Sequence, residues 1–222
     1  MKTIVLSLGG SLIIPEEIAI DYLQQLKKTL DTLPYKFIIT CGGGKICRTY
    51  QTAAKQLTNP LPEDLDWLGI AATKFNAELI RILFEQEAYE KVATNPTKKI
   101  ETNKKYLIAP GWKPGNSSDL VAILLAITHK TKHVYNLTNT NGVYTADPKK
   151  DPKAKLLKTL TWTNYLKLVG TTWDPGLNTS FDPIASQKAK EHKIDVSILD
   201  GTNLKNLKQA LLGQPFQGTI IN

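Results

Sequence analysis

Three segments could hold phosphate: Gly9-Gly10-Ser11, Gly42-Gly43-Gly44-Lys45, and Gly111 through Ser118. Each follows a short apolar run, and each has a helical pattern close behind it. Glycine lets a backbone approach a ligand closely, and the free N–H groups at the start of a helix attract anions. A single loop of this kind is also an ordinary tight turn. Three on one sheet can cradle a polyphosphate or two facing phosphates, because open α/β sheets bind ligands beyond the carboxyl ends of their strands. None is a Walker loop or a full G-x-G-x-x-G, which counts against a plain nicotinamide-binding fold. The third loop closes with Ser117-Ser118-Asp119, an acidic residue that also reads as part of a helix cap.

The surrounding pattern supplies the elements that must position these loops. Apolar runs at Thr3–Leu8, Phe37–Cys41, Tyr106–Ala109, His133–Leu137, Ile194–Leu199 and Thr219–Ile221 read as strands. Helical spacing runs over Ile18–Leu33, Ile46–Leu57, Leu65–Gln86, Leu120–Thr128, Thr161–Val169, Pro183–Glu191 and Leu204–Leu212. Val143–Lys158 is polar and reads as a projecting hairpin. Strands alternating with helices predict an α/β protein with a mostly parallel sheet covered on both faces. No linker or repeat divides the chain, so residues 1–222 are expected to form one domain.

Composition narrows the classes. The 222 residues are 41% hydrophobic and 22% charged, as in ordinary globular proteins. No apolar run approaches the ~18 residues of a membrane span. Met1–Ser11 is not a secretory signal, and the expectation is a cytoplasmic protein without a membrane partner. Cys41 and Cys47 give neither a disulfide framework nor a metal cluster. The net charge of +8 favours anionic partners. Its basic residues are spread out, densest over Lys149–Lys158, and no zinc-finger spacing or RNA-binding aromatic motif accompanies them, so no nucleic-acid partner is expected. All but two of the 28 basic residues are Lys. The two Arg, Arg48 and Arg81, are therefore places where the planar fork is worth asking about, as in phosphate recognition.

The chain resembles the archaeal-type uridylate (UMP) kinases of the amino acid kinase superfamily. Thr138–Pro148 (TNTNGVYTADP) is similar to their T-N-V-D-G-V-Y-x-x-D-P, and Gly42–Tyr50 (GGGKICRTY) to G-G-G-K-x-A-R-x-Y. Asp66–Ala77 matches D-x-x-G-I-x-x-T-R-x-N-A, and Gly111–Ala126 matches G-T-x-P-G-x-T-T-D with its apolar helix. The opening strand with its G-G-S, the late Asp182-Pro183 with Ala185, and Gly218-Thr219 complete a resemblance that covers essentially the whole chain.

The resemblance implies a three-layer α/β/α sandwich that transfers phosphate from ATP to UMP, with Mg²⁺. Its N-terminal part would bind the acceptor and about residues 130–222 the ATP. Gly9, Gly10, Ser11, Gly44 and Arg48 would hold the ATP phosphates, and Thr138, Asn139, Tyr144 and Asp147 its nucleoside. Gly43 would touch the UMP phosphate side. Asp66 would bind UMP through ribose hydroxyls, and the loop Trp112-Lys113-Pro114-Gly115-Asn116-Ser117-Ser118 would wrap it. A homo-oligomer, a hexamer by analogy, is expected. Exposed apolar residues of Ile18–Leu33 are the suggested dimer face.

Several positions depart from the pattern. Trp112 replaces a threonine, so its ring would narrow the acceptor pocket or stack on a base. Asn141 replaces an aspartate and Lys74 an arginine. Ser7 stands where many superfamily members carry a first-strand lysine, and Gln187 where a late lysine is common. Lys45 is the expected substitute cation, catalytic together with Arg48 and Asp182. Asp182 either orients a cation or caps the helix at Pro183. Two other readings stay open: a same-fold kinase with a different phosphate or carboxylate acceptor, and a non-catalytic oxyanion binder similar to the molybdenum-storage proteins. Only His129, His133 and His192 are present to serve a cluster, and no His follows the second strand as in isopentenyl phosphate kinases.

Overall fold

The computed structural model describes residues 1–146, 148, 150–170 and 180–222. Seven strands form one sheet: β1 (Lys2–Leu8), β2 (Tyr35–Cys41), β3 (Tyr106–Ala109), β4 (His133–Thr138), β5 (Thr159–Leu160), β6 (Asp195–Asp200) and β7 (Thr219–Ile221). Their order is β3-β2-β1-β4-β6-β7-β5. All neighbours are parallel except β6 and β7. The helices are α1 (Gly10–Ile13), α2 (Ile20–Asp31), α3 (Gly44–Leu57), α4 (Pro62–Leu83), α5 (Ser118–Thr128), α6 (Trp162–Val169), α7 (Pro183–His192) and α8 (Leu204–Leu211).

The strands are apolar on both sides because both sides are covered. In β1, Ile4, Leu6 and Leu8 face Leu23, Leu26 and Leu30 of α2, Ala77 and Ile80 of α4, and Leu207 of α8. Val5 points the other way, into a second core with Val121 and Leu125 of α5, Tyr165 of α6 and Ala185 of α7. The three-layer expectation therefore holds.

Chain order reverses beside β1, with β2 on one side and β4 on the other. The loops after β1, β2, β3 and β4 all leave the same edge of the sheet. The pairing of Leu8 with Cys41 brings the first two glycine loops side by side. This is the switch point at which such sheets bind ligands.

Local differences from the sequence reading are short. The helix expected from Ile46 starts two residues earlier, because Gly44 takes φ +67° and turns the chain straight into α3. The long helix begins at Pro62, which presets the first turn. Among the described residues of the 143–158 segment, Tyr144 and Leu156 form an antiparallel bridge, with Leu157 N donating to Val143 O at 2.8 Å and Thr145 N to Lys155 O at 3.0 Å. Thr219 Oγ1 ties it to β7, donating to the Leu157 carbonyl at 2.6 Å and accepting from Val143 N at 2.8 Å. No helix of the described residues is long and apolar enough to cross a membrane.

Candidate active site

The first two glycine loops interlock through backbone alone. Gly9 N donates to Leu137 O, Gly42 N to Leu8 O, and Lys45 N to Ile14 O, at 2.9 to 3.0 Å. Gly10 lies so close to the second loop that a Cβ there would sit 2.0 Å from Gly44 N. Ser11, the second residue of α1, is half-buried beside this crossing. Lys45 and Arg48 follow on α3. Lys45 Nζ pairs with Glu16 Oε2 at 2.8 Å on the surface. Arg48 is exposed, and with Lys45, which acts more strongly, it holds the Glu16 carboxyl below its ordinary range.

Helix α4 pins the glycine loops from below. Asn76, buried, donates through Nδ2 to Gly42 O at 2.7 Å and to Gly43 O at 3.2 Å. Thr73 Oγ1 accepts from Gly111 N at 2.8 Å and donates to Ile70 O at 2.7 Å. Neither residue was assigned a role from the sequence. The signal was there, however: two polar side chains three apart on the buried stripe of an amphipathic helix, where a polar group needs a partner.

Two cavities open on this edge. One, of about 170 Å³, is lined by Gly43, Asp66, Lys113, Asn116, Ser117 and Ser118, with Cys47 among its other walls. Asp66 Oδ2 accepts from Gly115 N at 2.7 Å, so this carboxylate holds the third loop in place as well as facing the cavity. Pro114 precedes that contact. Trp112 is the exception. It packs against the second core, and it is not among the lining residues of this cavity. The expectation that its ring narrows the pocket or stacks on a base gives way to a ring buried partly in the core beneath the loop.

The other cavity, of about 440 Å³, is lined by Thr138, Asn139, Tyr144 and residues of the 142–148 segment, with Tyr165 and Val169 of α6 opposite. Three of the four residues expected to hold a nucleoside meet here. The fourth, Asp147, lies outside the described residues.

Between the two stands a pair of carboxylates. Ser7 Oγ donates to Asp119 Oδ1 at 3.2 Å, and Asp119 Oδ2 accepts from Asp182 N at 3.1 Å. Asp182 caps α7, accepting from Ala185 N at 2.6 Å. It is also bonded to Ser117, which caps α5 by accepting from Leu120 N at 3.1 Å. Of the alternatives for Asp182, the structure shows the helix cap, and the capping residue is also a neighbour of Asp119. Burial first, and then the Asp182 charge, push Asp119 up to about 7. Burial raises Asp182 as well.

The Asp119 shift carries a stability prediction. Unfolded, Asp119 loses its proton near 3.8; folded, it keeps it to about 7. The folded state therefore binds the extra proton across that window, and stability falls as pH rises through it. The slope from Asp119 is at most about 1.4 kcal/mol per pH unit. Denaturant unfolding between pH 4.5 and 7.5 should show this decline, and Asp119→Asn should flatten it. An unchanged slope would refute the shift.

The fold and site together define a mostly parallel α/β protein with two cavities on an edge built from glycine loops. The model of the Amino acid kinase family matches residues 2–200, and the chain belongs to that family. It is 34% identical to the uridylate kinase of Methanoculleus marisnigri, covering 100% of this chain and 96% of that one. It is 36% identical to the uridylate kinase of Methanoregula boonei, covering 96% and 92%. The crystal structure of uridylate kinase from Archaeoglobus fulgidus superposes with a TM-score of 0.86 at 30% identity over all of both chains. The UMP kinase from Ureaplasma parvum, at 19% identity and TM-score 0.81, shares the fold.

Proposed function

We propose that this protein is a uridylate kinase, transferring the γ-phosphoryl group of ATP to UMP to give UDP and ADP in pyrimidine nucleotide synthesis. The observation that carries the reading is the pair of cavities on the strand edge that carries the interlocked glycine loops. In this reading residues 1–222 act as one unit, with the N-terminal part on the acceptor and about residues 130–222 on ATP.

A UMP phosphate oxygen attacks the γ-phosphorus as the bond to the bridging oxygen of ADP breaks. The protein forms no covalent bond. Its work is positioning and charge stabilisation. The backbone N–H groups of Gly10, Ser11 and Gly44, with Lys45 and Arg48, face the transferred group, while Gly9, its own N–H engaged by Leu137 O, shapes the turn that brings them there. Asp66 and the Lys113–Ser118 loop hold the acceptor. Thr138, Asn139, Tyr144 and Asp147 hold the adenosine side.

The carboxylates of Asp119 and Asp182, each raised by burial, suit a cation brought by the nucleotide. Mg²⁺ takes one or two carboxylates and completes its shell with water and substrate phosphates. Bound there, Mg²⁺ would neutralise phosphate charge.

The deciding experiment is ADP release with Mg-ATP against UMP, CMP, dUMP, AMP, isopentenyl phosphate and carbamate. Turnover confined largely to UMP is expected. Preference for another acceptor would overturn the UMP assignment and leave the ATP side standing.

A homo-oligomer, a hexamer by analogy, and a cytoplasmic location belong to the same reading. Of the face suggested on Ile18–Leu33, Ile18 and Ile20 are exposed. Leu23, Leu26 and Leu30 are spent on the core, whereas Trp67, Phe75 and Ile82 form an exposed stripe along α4, with Phe75 76% exposed. Tyr50 and Leu57 on α3 are exposed as well. Exposed apolar surface of this kind marks an association face. Phe75→Glu should lower the assembly state in light scattering while the monomer stays folded. An unchanged mass would place the interface elsewhere.

A further inference from the structure

Trp112 and Lys113 are adjacent in sequence and do different things. The Trp112 ring is packed against the second core. The Lys113 side chain is exposed, and its ammonium lies 4.3 Å from the centre of that ring. This is well inside the ~6 Å range over which a ring face attracts a cation. The backbone on either side is also fixed, by Gly111 N on Thr73 Oγ1 and by Gly115 N on Asp66 Oδ2. A lysine ammonium normally sweeps a wide volume on its flexible stem. Here the two backbone anchors fix where the stem starts, and the ring offers the ammonium a seat.

Lys113 is also one of the residues lining the acceptor cavity. Among the described residues lining it, Lys113 is the one cation and Asp66 the one anion. Asp66 is already engaged by the loop's own N–H. Lys45 and Arg48 lie on α3 outside the lining. A phosphate monoester acceptor brings its own negative charge into this space, and Lys113 is the side chain of the cavity able to meet it.

Building on the uridylate kinase reading, we infer that Trp112 is a positioning residue whose indole face holds the Lys113 ammonium as the cation that receives the acceptor's phosphate. The ring that replaces a threonine thus serves acceptor affinity from beneath the loop, without touching the nucleotide.

The test compares Trp112→Phe, which keeps an aromatic face, with Trp112→Leu, which keeps apolar packing and loses the face. Lys113→Ala and the Lys113→Ala/Trp112→Leu double variant complete the set. The readouts are KM for UMP, KM for ATP, kcat, and competitive inhibition by uridine. Lys113→Ala should raise the UMP KM about tenfold or more, as expected for loss of a charge-assisted contact. Its kcat and ATP KM should stay near wild type. Trp112→Leu should raise the UMP KM about threefold and Trp112→Phe less than about twofold. In the Lys113→Ala background Trp112→Leu should add nothing, since the pair acts as a unit.

Equal effects of Phe and Leu, or a Leu effect that persists without Lys113, would overturn the positioning role. Uridine inhibition weakened as much as UMP binding would overturn the phosphate assignment. Lys113 is on the surface, so Lys113→Ala tests the cation even if Trp112→Leu does not fold. If the wild type prefers another acceptor, the uridylate kinase reading fails. The same variants, measured with that acceptor, then test the pair on their own.

Discussion

Lys45→Ala is expected to lower kcat with UMP and ATP by on the order of 100-fold, the loss typical of removing one preorganised donor to a developing charge. The UMP KM should move by less than about threefold, because the lost contact matters most in the transition state. The reasoning starts from β1, where Ser7 donates to Asp119 and supplies no positive charge. A cation must come from elsewhere along the glycine edge. Lys45 is the second residue of α3, immediately after Gly44, with its N–H bonded to Ile14 O and its ammonium on Glu16. The pair with Glu16 is exposed and screened by water, so exchanging that carboxylate for a phosphate is cheap. Glu16→Gln should accordingly leave kcat close to wild type. The reverse pattern for Lys45→Ala, a raised UMP KM at unchanged kcat, would assign Lys45 to acceptor binding and leave Arg48 as the charge on the transferred group.

The second large effect is structural. Gly10→Ala should cost at least about 4 kcal/mol, because the new methyl group meets backbone, and no rotamer change can relieve it. Its nearest neighbours would be Gly44 N at 2.0 Å, Gly42 C at 2.6 Å and Gly43 N at 2.7 Å. For a chain of this size that corresponds to a melting temperature lower by roughly 8–16 °C. Any protein recovered folded should have lost nearly all turnover, since the two loops can cross no longer. Ser11→Ala, one residue on, should melt close to wild type. A Gly10→Ala variant with wild-type melting and activity would contradict the interlocked arrangement.

The strands were legible because buried parallel strands are continuous apolar runs. Tyr106–Ala109 and Thr219–Ile221 were read to the residue. The Asp182-Pro183 pair announced its own helix cap. What escaped was either very short or made by distant partners. The four residues of α1 complete barely one turn, and the two residues of β5 pair with β7 alone, Thr159 with Ile220 and Leu160 with Ile221, 61 positions away. Ser7 and Asp119 are 112 residues apart, and Asn76 reaches back 34 to Gly42. No local pattern records such distances. The expected nucleoside residues Thr138, Asn139 and Tyr144 did meet in one cavity, because a single loop carries them. Trp112 was misplaced for the opposite reason. Its position in the loop gave no sign that its ring turns toward the core.

The tether from Thr219 to the 143–158 segment bears on when this protein first becomes competent. The chain emerges from the ribosome from its amino end, so both glycine loops and the acceptor cavity can assemble while later residues are still being made. The wall of the nucleoside cavity has no such head start. Val143 N and Leu157 O wait for the Thr219 hydroxyl, and β5 waits for β7. A ribosome stalled before residue 219 would therefore display a chain with its acceptor side formed and its donor side open. Such a nascent chain should hold UMP before it can hold ATP.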